Sequence, residues 1–253
     1  MSIDVHVVVY NDLWMMRHFL RYYGPLADRI VVWDDRSDDG TREFVAQHPK
    51  VVLRDYPFPP GLDEAYLVAA YEQAYRESRG AAEWVILPDP DHFFVPCDGS
   101  DLRSHLDALR AEGVRAVKAI GVLCGSEEEP DTDGPLWEAM PCRRSHVQYS
   151  QILIFDPRLE VEFGWGRHHT VMPPAVPCRQ SVFNYHCCYP GPTRTAARLA
   201  RNFSRMPKQL YRREKRFRRE MGMVPVRMRE MGAATWPEDL YAYWLNLTSG
   251  GAA

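Results

Sequence analysis

Trp84-Val85-Ile86-Leu87-Pro88-Asp89-Pro90-Asp91-His92-Phe93-Phe94 decides the fold. A run of strand-forming residues stops abruptly in two carboxylates spaced i, i+2, and an aromatic pair follows. Side chains alternate along an extended backbone, so Asp89 and Asp91 are expected to point the same way from the strand's carboxyl end. Two carboxylates held together are costly unless a positive charge sits between them. A divalent cation carrying a diphosphate would supply it. Asp and Pro also favour turns, so a solvated turn is the competing reading of this segment alone.

A second stretch repeats the pattern. Arg29-Ile30-Val31-Val32-Trp33-Asp34-Asp35-Arg36-Ser37-Asp38-Asp39-Gly40-Thr41 is again a strand that stops in acids, then a turn rich in Ser, Asp and Gly. The first strand, Val5-His6-Val7-Val8-Val9-Tyr10, ends in Asn11-Asp12. In open α/β sheets, ligands bind outside the carboxyl ends of strands, so three polar strand ends suggest one shared site.

Strand and helix signals alternate through the first hundred or so residues. Strands are expected at 5–10, 30–33, 51–54 and 84–87, with helices at 13–23 (ended by Gly24-Pro25), 41–47 and 62–78. Such alternation argues for a mostly parallel sheet flanked by helices. Farther on, 101–111 reads as a helix, and 116–123, 151–155 and 181–185 as strands, with an acidic loop at 127–134. After Gly191-Pro192 the character changes: residues 195 to about 221 are basic and helical, and 237–247 is an aromatic closing helix. The expected organisation is one α/β unit over 1–190, carrying the shared site, and a basic and aromatic C-terminal helical segment over 191–253 packed on it.

The chain has 253 residues, enough for a substantial core, and 45% hydrophobic and 26% charged residues are ordinary for a globular protein. A formal net charge of −3 gives no global field for nucleic acid. No apolar run is long enough to span a bilayer and no charged-then-apolar leader opens the chain, so a cytoplasmic protein is expected. Six cysteines without a CxxC pair argue for free thiols rather than a zinc ribbon, even with Cys187-Cys188 beside His186.

The set Tyr10-Asn11-Asp12, then residues 34–41, then Asp89-Pro90-Asp91-His92-Phe93 resembles the nucleotide-sugar-binding half of GT-A fold glycosyltransferases, family 2-like. Gly164-Trp165-Gly166-Arg167-His168-His169 and Asn184-Tyr185-His186 resemble the later Gly-x-His and His-Tyr elements of one subfamily. The resemblance implies a GT-A-like, Rossmann-type sheet. It implies that Tyr10 and Asn11 wall the nucleoside pocket and that Asp34 or Asp35 accepts a hydrogen bond from the base. Asp89 would lie near ribose and metal, and Asp91 would bind Mn²⁺ or Mg²⁺ carrying the diphosphate, with His168, His169 or His186 completing the shell. The chain departs from the family at His92, where Glu is frequent, and at the usual place of the catalytic base. Glu138, Asp131 or Asp133 could serve as that base.

Arginine forks suit phosphate oxygens, so Arg194 or Arg198 could reach a diphosphate, while the charges beyond them read as a solvated face or a docking surface for an anionic acceptor or lipid headgroup. Few aromatics interleave with those arginines, which argues against nucleic acid. The activity expected is transfer of a sugar from a nucleoside diphosphate donor, UDP-linked in the first instance, to a small-molecule or glycan hydroxyl. Two other readings stand beside it. One is a non-catalytic nucleotide-binding or scaffold protein that uses the basic helix for partners. The other, a sugar nucleotidyltransferase, would want a Gly-rich basic phosphate loop where Tyr10-Asn11-Asp12 stands.

Overall fold

Strand β1 (Ile3–Val9) is buried at every residue except Val8, as befits a parallel strand covered on both faces. The computed structural model describes residues 1–206. After β1 the chain forms α1 (Leu13–Leu26), β2 (Arg29–Asp34), α2 (Thr41–Ala46), β3 (Val51–Asp55), α3 (Glu64–Arg76) and β4 (Trp84–Ile86). It continues through β5 (His92–Pro96), α4 (Leu102–Ala111), β6 (Ala116–Ser126), β7 (Cys142–Ser145) and β8 (Ile152–Phe155). The described part closes with β9 (Glu162–Phe163), β10 (Thr170–Val171), β11 (Cys178–Pro190) and α5 (Pro192–Arg205).

The main sheet runs β3-β2-β1-β4-β8-β6-β11-β5, with β7 beside β6, and β9 and β10 form a separate small ladder. Strands β1, β2, β3, β4, β6 and β11 point one way and β5, β7 and β8 the other. The result is a mostly parallel α/β sheet flanked by helices, the class expected from the sequence. On β2, Ile30 and Val32 join the core that includes α1, while Val31 and Trp33 pack with Ala70 and Ala74 of α3 on the other face. The chain adds β2 and β3 on one side of β1 and then places β4 on the other, so the strand order reverses between β1 and β4. A crevice opens outside the carboxyl ends of strands at such a reversal.

Several elements differ from the sequence reading. Helix α1 runs through Gly24 and Pro25 to Leu26, because a proline in the last turn breaks little of the ladder. Lys50 Nζ then donates to the Gly24 and Ala27 carbonyls at 2.8 Å each, satisfying that helix end. The Asp89–Asp91 segment is not extended; the chain turns at Pro90 and leaves as β5, an edge strand antiparallel to β11. Strands β7, β9 and β10 carry no sequence signal: Cys142-Arg143-Arg144-Ser145 has no apolar alternation, and two-residue strands leave no pattern. Strand β11 spans 13 residues rather than the expected five or so. Its first four residues, exposed or half-buried, lack the apolar run that begins at Val182. Gly191, with φ +80°, separates β11 from α5. The basic segment beyond residue 206 and the expected closing helix at 237–247 lie outside the described residues. Among the described residues no helix is long and apolar enough to cross a membrane.

Candidate functional site

A cavity of about 400 Å³ opens at the β1/β4 reversal and is lined by Tyr10, Asp12, Asp35, Asp89, Asp91 and His186, among others. Asp12, Asp35, Asp89 and Asp91 each have their own ionic partner.

Asp91 immediately precedes β5, and its backbone carbonyl accepts from Cys187 N–H of β11 at 2.8 Å. Its Oδ2 lies 3.0 Å from His186 Nε2 and 2.5 Å from Arg198 Nη2. Burial alone would raise this carboxyl; Arg198, then His186 and His92, outweigh burial and hold it well below the usual carboxylate range. The antiparallel register sets His92 opposite His186, with ring centroids 4.7 Å apart, and Tyr149 packs on His186 at 4.2 Å. Burial pushes His92 down to about 3, so its imidazole is neutral near pH 7. Asp91, His92 and His186 thus offer three ligand atoms all within 4.8 Å of one another. One detail fits a cation there: His186 Nδ1 is buried without a hydrogen-bond partner. Imidazole ligands beside a carboxylate suit Mn²⁺ better than Mg²⁺, which favours oxygen.

Asp89 occupies the neighbouring wall. Arg167, 1% exposed, ion-pairs with Asp89 Oδ1, donates to the Leu87 carbonyl at 2.6 Å and stacks 3.7 Å over the Tyr71 ring. The Tyr71 hydroxyl adds a 3.3 Å hydrogen bond to the same Asp89 oxygen. Burial raises the Asp89 carboxyl, but Arg167 and then His92 more than offset it, and the net shift is downward. Asp89 therefore carries its own buried counter-ion and stands outside the Asp91–His92–His186 group. Arg167 is left-handed at φ +56°, in the turn that also carries Gly166.

The β1 and β2 ends are stitched together. Asn11 Nδ2 donates to Asp38 at 2.5 Å, Asp38 N–H returns a bond to Asn11 at 2.7 Å, and Asp12 N–H donates to Thr41 at 2.9 Å. Asn11 is thus spent on the turn and does not line the cavity. Of the acid pair, Asp35 faces the cavity. Asp34 turns instead to Arg42 at 3.0 Å and to Ser37 N–H at 3.2 Å. Asp35 pairs with Arg36 at 2.6 Å and with Arg205, whose guanidinium lies 3.6 Å over the Tyr10 ring.

The other expected residues are dispersed. His168 lines the cavity, with Nδ1 2.9 Å from Gln148 O, and stands outside the three-residue group. His169 is exposed and does not line the cavity. Arg194 leaves the cavity, pairing with Glu129 at 3.0 Å and lying 4.3 Å over Trp14. Glu138 and Asp131 are exposed, and Asp133 pairs with Arg21 at 2.9 Å beside a separate cavity of about 250 Å³. None of these three carboxylates lines the main cavity. Cys187 and Cys188 are free and buried, with burial raising both thiols.

Sequence reasoning passes over His92, Arg167, Tyr149 and Glu64. His92 is visible as a histidine abutting the acid pair; Arg167 as the one cation of the Gly-rich turn. Tyr149 and Glu64 have no local signal. Arg201 and Arg205 correct the solvated-face reading of the basic helix: they pair with Asp12, at 2.8 Å, and with Asp35.

No protein-family model matches the chain, and no curated protein matches it. Among solved structures it overlaps partially with glucosyl-3-phosphoglycerate synthase from Mycobacterium tuberculosis, crystallised with Mn²⁺, uridine diphosphate and phosphoglyceric acid. That overlap has 19% identity and TM-score 0.32, over 47% of this chain and 43% of that one. Mannosyl-3-phosphoglycerate synthase from Rubrobacter xylanophilus gives 22% identity and TM-score 0.32, over 55% of this chain and 44% of that one. Mannose-1-phosphate geranyltransferase from Thermus thermophilus gives 13% identity and TM-score 0.33, over 96% and 68%. The first two overlaps span less than half of the solved chains. These neighbours are named as synthases and transferases, and at such scores the chemistry of the site rests on this chain's own side chains.

Proposed function

We propose that the chain is a metal-dependent glycosyltransferase that moves a sugar from a nucleoside diphosphate donor to a hydroxyl acceptor. The observation that carries this reading is the buried Asp91–His92–His186 group, at the sheet's reversal point and in one cavity with Tyr10 and Asp35. Tyr10 offers a ring face and Asp35 an acceptor, which suits a base that presents an N–H. Asp91, His92 and His186 would hold Mn²⁺ or Mg²⁺, and a bound cation supplies charge stabilisation to a departing diphosphate. Arg198 pairs with Asp91 in the free chain, so a cation bound there would take over that carboxylate from its guanidinium. Asp89, locked by Arg167 and Tyr71, is a fixed acceptor on the same wall. For the acceptor hydroxyl we propose Glu64, which lines the cavity, as the base. Glu138, Asp131 and Asp133 could supply one only by movement of their loop.

The test is thermal melting with UDP, GDP and CDP, each with and without Mn²⁺, on wild type and Asp91→Ala. A ligand confined to the native state raises Tm, by the equivalent of about 2.7 kcal/mol at a hundred times Kd. The expected result is stabilisation by one diphosphate that needs Mn²⁺ and vanishes in the variant. No shift with any nucleotide rejects the proposal. The substitution also takes the carboxylate from Arg198, which is 23% exposed and keeps its 2.9 Å bond to the Cys188 carbonyl, so the ligand-free variant should lose about 1–3 kcal/mol. The absence of Glu138, Asp131 and Asp133 from the cavity lining favours a second reading, a non-catalytic nucleotide-binding protein. Metal-dependent hydrolysis of a sugar nucleotide would exclude it.

A further inference from the structure

Helix α5 places Arg198, Arg201 and Arg205 at i, i+3 and i+7, along one face. All three line the cavity, and each meets a different acid at its mouth. Arg198 pairs with Asp91 at 2.5 Å, Arg201 with Asp12 at 2.8 Å and also the Asn11 carbonyl, and Arg205 with Asp35. The end of the helix is fastened as well: Leu62 N–H donates to the Arg205 carbonyl at 2.9 Å, and Arg205 Nη2 donates to Gly61 O at 3.3 Å.

Two of these contacts duplicate what a donor would bring. The Arg205 guanidinium is flat, lies 3.6 Å over the Tyr10 ring and directs an N–H at the Asp35 carboxylate, which is what a nucleobase would do there. The Arg198 guanidinium puts a positive charge on the Asp91 oxygen that faces His186, which is what a metal ion would do there. One flat cation and one ligand cannot share the Tyr10 face, and a guanidinium 2.5 Å from Asp91 Oδ2 competes with a metal ion, charge for charge, for that carboxylate.

We infer that α5 is a tethered occupant of the donor site: in the free chain Arg205 fills the base position and Arg198 the cation position, and the donor enters only as α5 gives way. The inference rests on the nucleoside diphosphate reading above. It separates α5 from an ordinary binding wall by the sign of one effect. An occupant lowers the fraction of chains competent to bind, and the apparent affinity falls by that fraction. A wall raises affinity.

The experiment is calorimetric titration of wild type and Arg205→Ala with UDP, GDP and CDP in Mn²⁺, with Mn²⁺ alone as reference. It is joined to hydrogen exchange of the 193–205 amides in wild type with and without nucleotide. The occupant reading expects the variant to bind its diphosphate about tenfold tighter, and the wild-type α5 amides to exchange faster once nucleotide is bound. Weaker or unchanged binding in the variant, or α5 amides that exchange more slowly with nucleotide, overturns it and makes the arginines donor ligands. The exchange arm decides the question even if Arg205→Ala does not fold. Absence of binding by any diphosphate to either protein overturns the donor site itself; binding to both proteins with the opposite sign overturns only the role of α5.

Discussion

Glu64 shows how a single side chain can be prepared for proton transfer without a dedicated motif. It opens α3, just after its N-cap Asp63, and lines the cavity. Its Oε2 is buried with no hydrogen-bond partner. Burial and then the Asp89 charge raise its carboxyl, with Arg167 pulling partly the other way. A carboxylate moved up from its ordinary value is better matched to taking a proton from a hydroxyl near neutral pH. Glu64→Gln keeps the volume and removes the titrating group. With sugar nucleotide and Mn²⁺, turnover should fall at least about 10²-fold while nucleotide binding is kept. The sign of the pH effect follows: a base must be ionised, so activity rises with pH along a limb centred above the ordinary glutamate value, and the variant lacks that limb. Unchanged turnover in the variant would pass the role to Glu138, Asp131 or Asp133.

At the scale of elements, the histidine pair depends on how closely the 146–149 segment lies on β6. Gly121 permits this: His146 N–H donates to its carbonyl at 2.9 Å, and its own N–H donates to Ser150 at 3.0 Å. A Cβ at 121 would fall within 2.6 Å of the Tyr149 carbonyl carbon and nearer still to the His146 carbonyl oxygen, both backbone atoms that cannot rotate away. Gly121→Ala should therefore lift Tyr149 off His186, destabilise the fold by about 1–3 kcal/mol and weaken Mn²⁺ binding, read by melting and by metal titration. A variant with wild-type Tm and metal affinity would show that the segment packs elsewhere. The same contrast explains what the sequence discloses. Strands β2 and β4 are legible as apolar runs followed by acids, and β1 because its valines carry the pattern through Asp4 and His6 to Asn11-Asp12; those endings locate the cavity. Which of Asp34 and Asp35 faces inward is not legible, because it depends on where Arg42 and Arg205 stand. His92 joins His186 only through the β5–β11 register, a long-range pairing that no local pattern encodes.

Stability of the whole molecule should carry a histidine signature. His6 lies on the central strand, fully buried, with Nε2 2.8 Å from Ser78 Oγ, which in turn donates to Asp4 at 2.6 Å. Burial lowers His6 to about 3; Asp4 opposes that shift, and Arg29 and Arg54 add to it. The unfolded chain protonates the same imidazole near 6.5. The folded value is therefore depressed, and linkage fixes the sign: its contribution to stability is complete above pH 6.5 and is lost as pH falls from 6.5 toward 3. Each unit well below that value removes about 1.4 kcal/mol, so His6 alone accounts for about 2 kcal/mol by about pH 5. His92, also lowered to about 3 by burial, acts in the same direction. The paired carboxylates enter at lower pH: the unfolded chain protonates them near the ordinary value of about 3.9, and because Asp89, Asp91 and Asp156 are held below that range in the fold, their contribution is lost as pH falls from there toward the folded values. Urea unfolding of wild type and His6→Gln at about pH 7.5 and about pH 5 measures the effect. Whatever the substitution costs at the higher pH, the variant should lose about 2 kcal/mol less than wild type between the two pH values. Equal losses would mean that His6 is protonated inside the fold, with Asp4 rather than Ser78 as its effective partner.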